Sequence, residues 1–162
     1  MNNNYEQLSP EALRKIDREV AKYPLERKSS AVMAVLRIAQ EEHGWLSVPL
    51  MDYIAELLGM RPIQVYEVAT FYSMYDLKPV GRHKISICTN ISCMLCGSDA
   101  IVKHLEQRLG IKLGETTPDK KVTLKEVECL AACCGAPMFQ IGKNYYENLT
   151  PQKVDEILAS LK

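Results

Sequence analysis

The first half of the chain repeats apolar residues at the three- and four-residue spacing of amphipathic helices. Serine and proline stand where such helices begin, because a serine hydroxyl can accept hydrogen bonds from the first backbone N–H groups. Glycine stands where two of them end. Together these signals predict four helices in a bundle-like segment over residues 1–78: Ser9-Pro10 to about Lys22, Ser29 or Ser30 to Gly44, Ser47 to Gly59, and Pro62 to about Tyr75.

From residue 79 onwards the pattern changes to short strands alternating with helices, after a linker over residues 76–83. Alternating apolar residues predict strands at 84–88 and 122–127, and a hairpin pairs 138–141 with 145–147. Helical spacing returns at 98–109 and after Thr150-Pro151. The order βαββα predicts a small α/β (α+β) layer resembling thioredoxin over residues 79–162, preceded by the four-helix segment.

Composition and charge narrow the classes of protein that fit. The 162 residues are 47% hydrophobic, which suffices for a buried core, and 20 basic residues balance 20 acidic ones. This balance gives no reason to expect nucleic acid as a partner. The N-terminal MNNNYEQ has no signal-peptide pattern, and the longest helix-like apolar run, 31–36, is too short to span a bilayer. We therefore expect a soluble cytoplasmic protein without direct membrane insertion.

All six cysteines fall in two predicted loops of the second half. One loop joins the first strand to its helix, and the other follows the second strand. Because the loops of a parallel βαβ unit leave the same edge of the sheet, the two groups can meet around one site. The groups are Cys88, Cys93 and Cys96 in the first loop, and Cys129, Cys133 and Cys134 in the second.

Several kinds of chemistry could use these cysteines. A 2Fe-2S cluster takes four thiolates, whereas structural zinc takes four thiolate or imidazole ligands, usually in tighter pairs than Cys88-x4-Cys93. Cys93-Met-Leu-Cys96 is a CxxC sequence near a helix start and could perform thiol–disulfide exchange, but such an enzyme needs no second group of cysteines. The cysteines could instead be small buried hydrophobic residues, but six cysteines confined to two loops would be unusual in that role.

An iron–sulfur site leaves two ligand sets in competition. Cys88, Cys93, Cys96 and Cys129 match the plant-type ferredoxin spacing. That class uses a long non-helical loop, whereas here an amphipathic helix follows Gly97 at once, so Cys96 is expected in its first turn. Cys88, Cys93, Cys129 and Cys133 instead take two ligands from each loop, one pair for each iron, and this second set is the one we favour.

Three stretches resemble one family: EVATFYSMY, PVGRHKISICTNISCMLCGSD and LGIKLGETTPDKKVTLKEVECLAACCGAP. They are similar to the small 2Fe-2S subunit of NADH:quinone oxidoreductase (respiratory complex I), a thioredoxin-like ferredoxin family. The likeness runs from about residue 10 to the C-terminus. The family pattern C-x4-C…C-x3-C maps onto Cys88, Cys93, Cys129 and Cys133, so the resemblance implies one 2Fe-2S cluster on these four residues.

The resemblance also implies a role and partners. The chain would transfer single electrons within an oxidoreductase, with no catalytic residue of its own. Its partners would be a flavoprotein subunit that binds FMN and NADH and further subunits of the peripheral arm, at the cytoplasmic face of the membrane. The matching subunit of an NAD-linked hydrogenase or formate dehydrogenase remains an alternative, and a CxxC oxidoreductase or a zinc adaptor are alternatives of another class.

Two departures from the family pattern concern the second loop and the spare thiols. Ala131 stands where the family usually has glycine, so a left-handed backbone there would be strained. Cys96 and Cys134 are extra thiols.

Pro137 is a candidate for a cis proline, although trans is the default. Tyr66, Phe71, Tyr72 and Tyr75 have the spacing of core residues, and docking of a partner is their alternative role.

Overall fold

The computed structural model describes residues 8–161 and divides the chain into two compact units, Met1–Pro79 and Val80–Lys162. The polar N-terminal heptapeptide lies outside the described residues. The described part of the first unit is largely helical: α1 (Pro10–Val20), a 3-10 helix (Leu25–Ala31), α2 (Val32–His43), α3 (Val48–Leu58) and α4 (Pro62–Phe71).

The end signals of the sequence predicted most of these helix boundaries. The Ser9 hydroxyl accepts a hydrogen bond from the N–H of Ala12 at 3.2 Å, and Ser47 caps α3 in the same way. Gly44 and Gly59 end α2 and α3 with φ of 82° and 63°. The helices enclose one apolar core, which includes Ile16, Leu36, Leu46, Leu50, Ile54 and Leu58.

The segment after α4 differs from the prediction. The fourth helix ends at Phe71 rather than near Tyr75. Tyr75 is buried, and its hydroxyl donates to the carbonyl of Met33 at 2.8 Å. The Gln40 side chain donates to the carbonyl of Met74 and accepts from the N–H of Asp76. These hydrogen bonds join residues that are distant in the sequence, and they satisfy backbone groups that lie outside a helix. The spacing of apolar residues along the sequence contains no signal for them.

The second unit is a four-stranded sheet with two long helices. Its elements are β1 (His83–Cys88), α5 (Ile91–Leu95), α6 (Ser98–Leu109), β2 (Val122–Val127), a 3-10 turn (Cys133–Gly135), β3 (Phe139–Ile141), β4 (Asn144–Tyr146) and α7 (Pro151–Ser160). The strand order is β2-β1-β3-β4, with β1 and β2 parallel and the other pairs antiparallel. The core lies between the sheet and α6 and α7.

The mixed fold class is therefore confirmed, with two additions. The predicted order βαββα counted the predicted hairpin as one strand, and its two strands make the order of the longer elements βαβββα. The sequence pattern missed α5, a single helical turn between β1 and α6. The Ala136–Pro137 peptide bond is cis. Within residues 8–161, every helix falls short of the length and apolarity that crossing a bilayer requires.

Candidate metal centre

The parallel pairing of β1 and β2 brings the two cysteine loops to one edge of the sheet. Cys88, the last residue of β1, is in register with Val127, the last residue of β2. The N–H of Thr89 still bonds to the carbonyl of Val127, at 3.3 Å. The first loop begins directly after Cys88 and the second directly after Val127, as expected for parallel neighbours.

The first loop buries two thiols. Cys88 is 4% exposed and Cys93 is 1% exposed, and both pack with Met138. Asn90 caps α5 by accepting a hydrogen bond from the N–H of Ile91 at 2.8 Å, which fixes the turn that carries Cys93 inward. The Cys88 thiol donates to the carbonyl of Glu128 in the second loop, with sulfur and oxygen 3.8 Å apart.

Cys93 also interacts with thiols on both loops. Burial raises the pKa of the Cys93 thiol to about 11, and a hydrogen bond with Cys88 and the nearby Cys133 add to the increase. A backbone hydrogen bond from Met138 acts in the opposite direction, because an N–H donor favours the thiolate. Two of the other three expected ligands, Cys88 and Cys133, thus act directly on Cys93.

The second loop holds its cysteines near the surface. Cys129 and Cys133 are both exposed. The backbone of Ala131 is left-handed, with φ of 57°, so the strain described for such a backbone at this position applies. This bend directs the N–H of Ala131 to the sulfur of Cys129, at 3.3 Å. The hydroxyl of Tyr145, on β4, donates to the carbonyl of Leu130 at 2.8 Å.

The two extra cysteines lie beside the expected ligands. Cys96 is exposed and forms the C-terminal end of α5, and Gly97, with φ of 92°, separates it from α6. The expectation that Cys96 lies in the first turn of the long helix is therefore wrong, because α5 intervenes. Cys134 is exposed and follows Cys133 in the 3-10 turn.

Only some of the apolar residues near the cysteines pack against them. Leu130, Ala132 and Ala136 pack against the cluster formed by Cys88, Cys93 and Met138. Three apolar residues of α5, by contrast, face solvent. Cys93 points inward from this single turn, and at 100° per residue its neighbours two before, one after and two after point at least 100° away. These exposed residues are Ile91, Met94 and Leu95.

The donor chemistry of the site fits an iron–sulfur cluster. A 2Fe-2S cluster takes two thiolates at each of two irons, and backbone N–H groups commonly bond to its sulfurs. The N–H of Ala131 already donates to Cys129, and Met138 provides a backbone hydrogen bond to Cys93. Sequence patterns contain no signal for these N–H groups or for Tyr145.

Comparisons with known proteins agree with this chemistry. An NADH-quinone oxidoreductase subunit of Rhizobium meliloti (strain 1021) is 48% identical over 147 residues, which are 91% of this chain and 86% of that protein. An NADH-quinone oxidoreductase subunit of Rickettsia conorii (strain ATCC VR-613 / Malish 7) is 49% identical over 144 residues, which are 88% of this chain and 86% of that protein. These likenesses extend over both units of the chain.

Among solved structures, a chain of an NAD+-reducing [NiFe]-hydrogenase in the air-oxidized state superposes with a TM-score of 0.68 at 18% identity. The match covers 78% of this chain but only 22% of the hydrogenase chain, so it supports the fold alone. The model of the thioredoxin-like [2Fe-2S] ferredoxins matches residues 16–162, nearly the whole of the sequence. With its paired cysteine loops at the edge of a mixed sheet, this chain belongs to the thioredoxin-like [2Fe-2S] ferredoxin family.

Proposed function

We propose that this chain is the one-electron carrier of an NADH-quinone oxidoreductase and holds one 2Fe-2S cluster on Cys88, Cys93, Cys129 and Cys133. The family and the names of the relatives support the cluster and the complex. One observation carries the choice of ligands: the parallel strands bring the two loops together, and Cys93 lies against Cys88 and near Cys133.

The residues of the chain have only to hold and surround the cluster. When bound, the cluster would supply a site that accepts and releases one electron. The four thiols must lose their protons to bind iron. Burial disfavours the thiolate of Cys93 in the absence of a cation, so iron binding would release a proton there. Electron transfer needs no general acid, base or nucleophile, and we assign no catalytic residue.

Single serine substitutions at all six cysteines test the ligand set. We expect Cys88→Ser, Cys93→Ser, Cys129→Ser and Cys133→Ser to lower the iron content and to alter or abolish the electron paramagnetic resonance signal of the reduced protein. The matched controls are Cys96→Ser and Cys134→Ser, each one to three residues from a proposed ligand, which should keep both. Loss at Cys96 with retention at Cys133 would restore the plant-type ligand set and contradict ours.

The thiol–disulfide alternative is less well supported by the geometry. A reactive thiol is exposed and has a lowered pKa, whereas Cys93 is buried and its pKa is raised. A visible absorption spectrum and metal analysis of the anaerobically purified protein separate the alternatives, because full zinc occupancy without iron would reject every iron–sulfur ligand set.

The partner that we propose is the flavoprotein subunit of the same complex, which would bind FMN and NADH, with further subunits of the peripheral arm at the cytoplasmic face of the membrane. The helical unit, residues 1–78 in the sequence-based division, would provide the docking surface. Its support is a run of exposed apolar side chains at and after the end of α4: Phe71, Tyr72, Met74 and Leu77, with Phe71 79% exposed.

Co-purification of the assembled complex tests this docking role. Phe71→Asp should reduce recovery of the flavoprotein with this chain, because a carboxylate would be desolvated in the interface. Leu25→Asp is the matched control, since Leu25 is 85% exposed in the 3-10 helix of the same unit. Equal recovery with both variants would contradict the assignment. The subunits that co-purify with the wild-type chain also separate this complex from a hydrogenase or formate dehydrogenase.

A further inference from the structure

A tyrosine on the hairpin bonds to the backbone between two of the proposed ligands. Tyr145 lies on β4 and is 49% exposed. Its hydroxyl donates to the carbonyl oxygen of Leu130 at 2.8 Å. Leu130 directly follows Cys129, so this hydrogen bond joins the sheet to the second cysteine loop.

The same peptide group also bonds to a cysteine sulfur. The carbonyl of Leu130 and the N–H of Ala131 belong to one planar amide and point in opposite directions. The N–H end donates to the sulfur of Cys129 at 3.3 Å. The phenol of Tyr145 and the thiol of Cys129 are therefore at opposite ends of one amide. The left-handed backbone of Ala131, φ 57°, gives the amide this orientation.

Two hydrogen bonds through one amide strengthen each other. A donor at the carbonyl oxygen polarises the amide and makes its N–H a stronger donor. An N–H donor to a cysteine ligand stabilises the more negative, reduced form of an iron–sulfur cluster and raises its reduction potential. The bond from Tyr145 also limits rotation of the amide, which keeps the N–H directed at the sulfur.

We propose that Tyr145 is a positioning residue that raises the reduction potential of the cluster through the Leu130–Ala131 amide and Cys129. This inference rests on the proposed function, because it requires Cys129 to be a ligand. The Tyr145 hydroxyl bonds to the far end of the amide rather than to the sulfur. Its effect is therefore transmitted through that one hydrogen-bonded amide.

The test compares two neighbouring tyrosines in the cluster-containing full chain. Tyr145→Phe removes the hydroxyl and should make the cluster roughly two- to fivefold harder to reduce, with unchanged iron content. Tyr146→Phe is the matched control. Successive residues of a strand point to opposite faces, and the Tyr146 ring packs on Phe139 with centroids 5.4 Å apart. A redox titration monitored by electron paramagnetic resonance measures the reduction potential of the cluster in both variants.

Resonance Raman spectra give a second readout, since a weaker N–H···S bond should move an iron–cysteine stretching band to higher frequency in Tyr145→Phe alone. An unchanged potential and spectrum in Tyr145→Phe, or equal shifts in the two variants, would overturn the inference while leaving the proposed function intact. Loss of iron from Tyr145→Phe would also overturn it, because the hydroxyl would then be needed to retain the cluster. A wild-type chain that never binds iron would refute the proposed function itself.

Discussion

Replacing Ala131 with glycine should stabilise the second unit. Ala131 adopts φ of 57°, where the Cβ of an L-residue lies too close to the following carbonyl oxygen. This conformation costs roughly 1–2 kcal/mol for a residue with a Cβ and nothing comparable for glycine. Glycine also makes the unfolded chain more flexible, which offsets about 0.4–1 kcal/mol of the gain. The net increase in the free energy of unfolding should be at most about 1.6 kcal/mol, and about 0.8 kcal/mol at the middle of the two ranges.

A control at the next residue isolates the strain. Ala132 has φ of −124°, which alanine adopts without this clash, so Ala132→Gly should lower the free energy of unfolding by roughly 0.5–1 kcal/mol. Both variants have the same composition and nearly the same unfolded chain. The difference between them therefore reports the strain at Ala131 together with the packing lost when the Ala132 methyl group is removed, and we expect it to be at least about 1–2 kcal/mol.

Urea unfolding followed by far-ultraviolet circular dichroism, with the thiols kept reduced, provides the two free energies. The single tryptophan, Trp45, lies in the helical unit, and its fluorescence reports that unit separately. Equal stabilities of the two glycine variants, or a more stable Ala132→Gly, would refute the argument from strain.

Two further predictions concern the second unit. Gly135→Ala should destabilise the protein by about 1–3 kcal/mol and lower its iron content, because the new Cβ would lie 2.5–2.6 Å from side-chain atoms of Glu147. An unchanged urea midpoint and an unchanged iron content would contradict this prediction. Hydrogen bonding to His104 and the charge of Arg108 lower the pKa of Asp155 below its ordinary 3.8, so this pairing stabilises the fold above that pH and is lost as the pH falls through the lower, folded value. Asp155→Asn should therefore reduce the loss of unfolding free energy at acidic pH. If the free energy of unfolding falls with decreasing pH as steeply in Asp155→Asn as in the wild type, the pairing does not contribute.

Those parts of the fold that depend on local chemistry could be predicted from the sequence. The serine cap of α3 and the glycine ends of α2 and α3 identify helix boundaries because they act within one turn of the chain. The alternation at 122–127 predicted β2 residue for residue. The end of α4 was missed because Gln40 and Met33, far away in the sequence, bind the backbone and side chains of the segment that follows.

In the candidate site, too, some features could be predicted from the sequence and others could not. Spacing and topology sufficed to expect that Cys88 and Cys93 would meet the second loop, and the family's usual glycine identified position 131 as one where a left-handed backbone would be strained. The role of Tyr145 could not be anticipated, because its bond to Leu130 joins residues 15 apart on different elements. The exposure of α5 also escaped prediction, since a single turn is too short to show a period.

Because the proposed ligands come from two loops, the cluster would also affect the thermodynamic stability of the second unit. A cluster on the proposed set would tie Cys93 to Cys129 across 36 residues of chain, a span that contains α6 and β2. Like a disulfide of that loop length, such a cross-link would remove about 4 kcal/mol of chain entropy from the unfolded state. Loss of the cluster would then lower the stability of the second unit as well as remove its electron carrier.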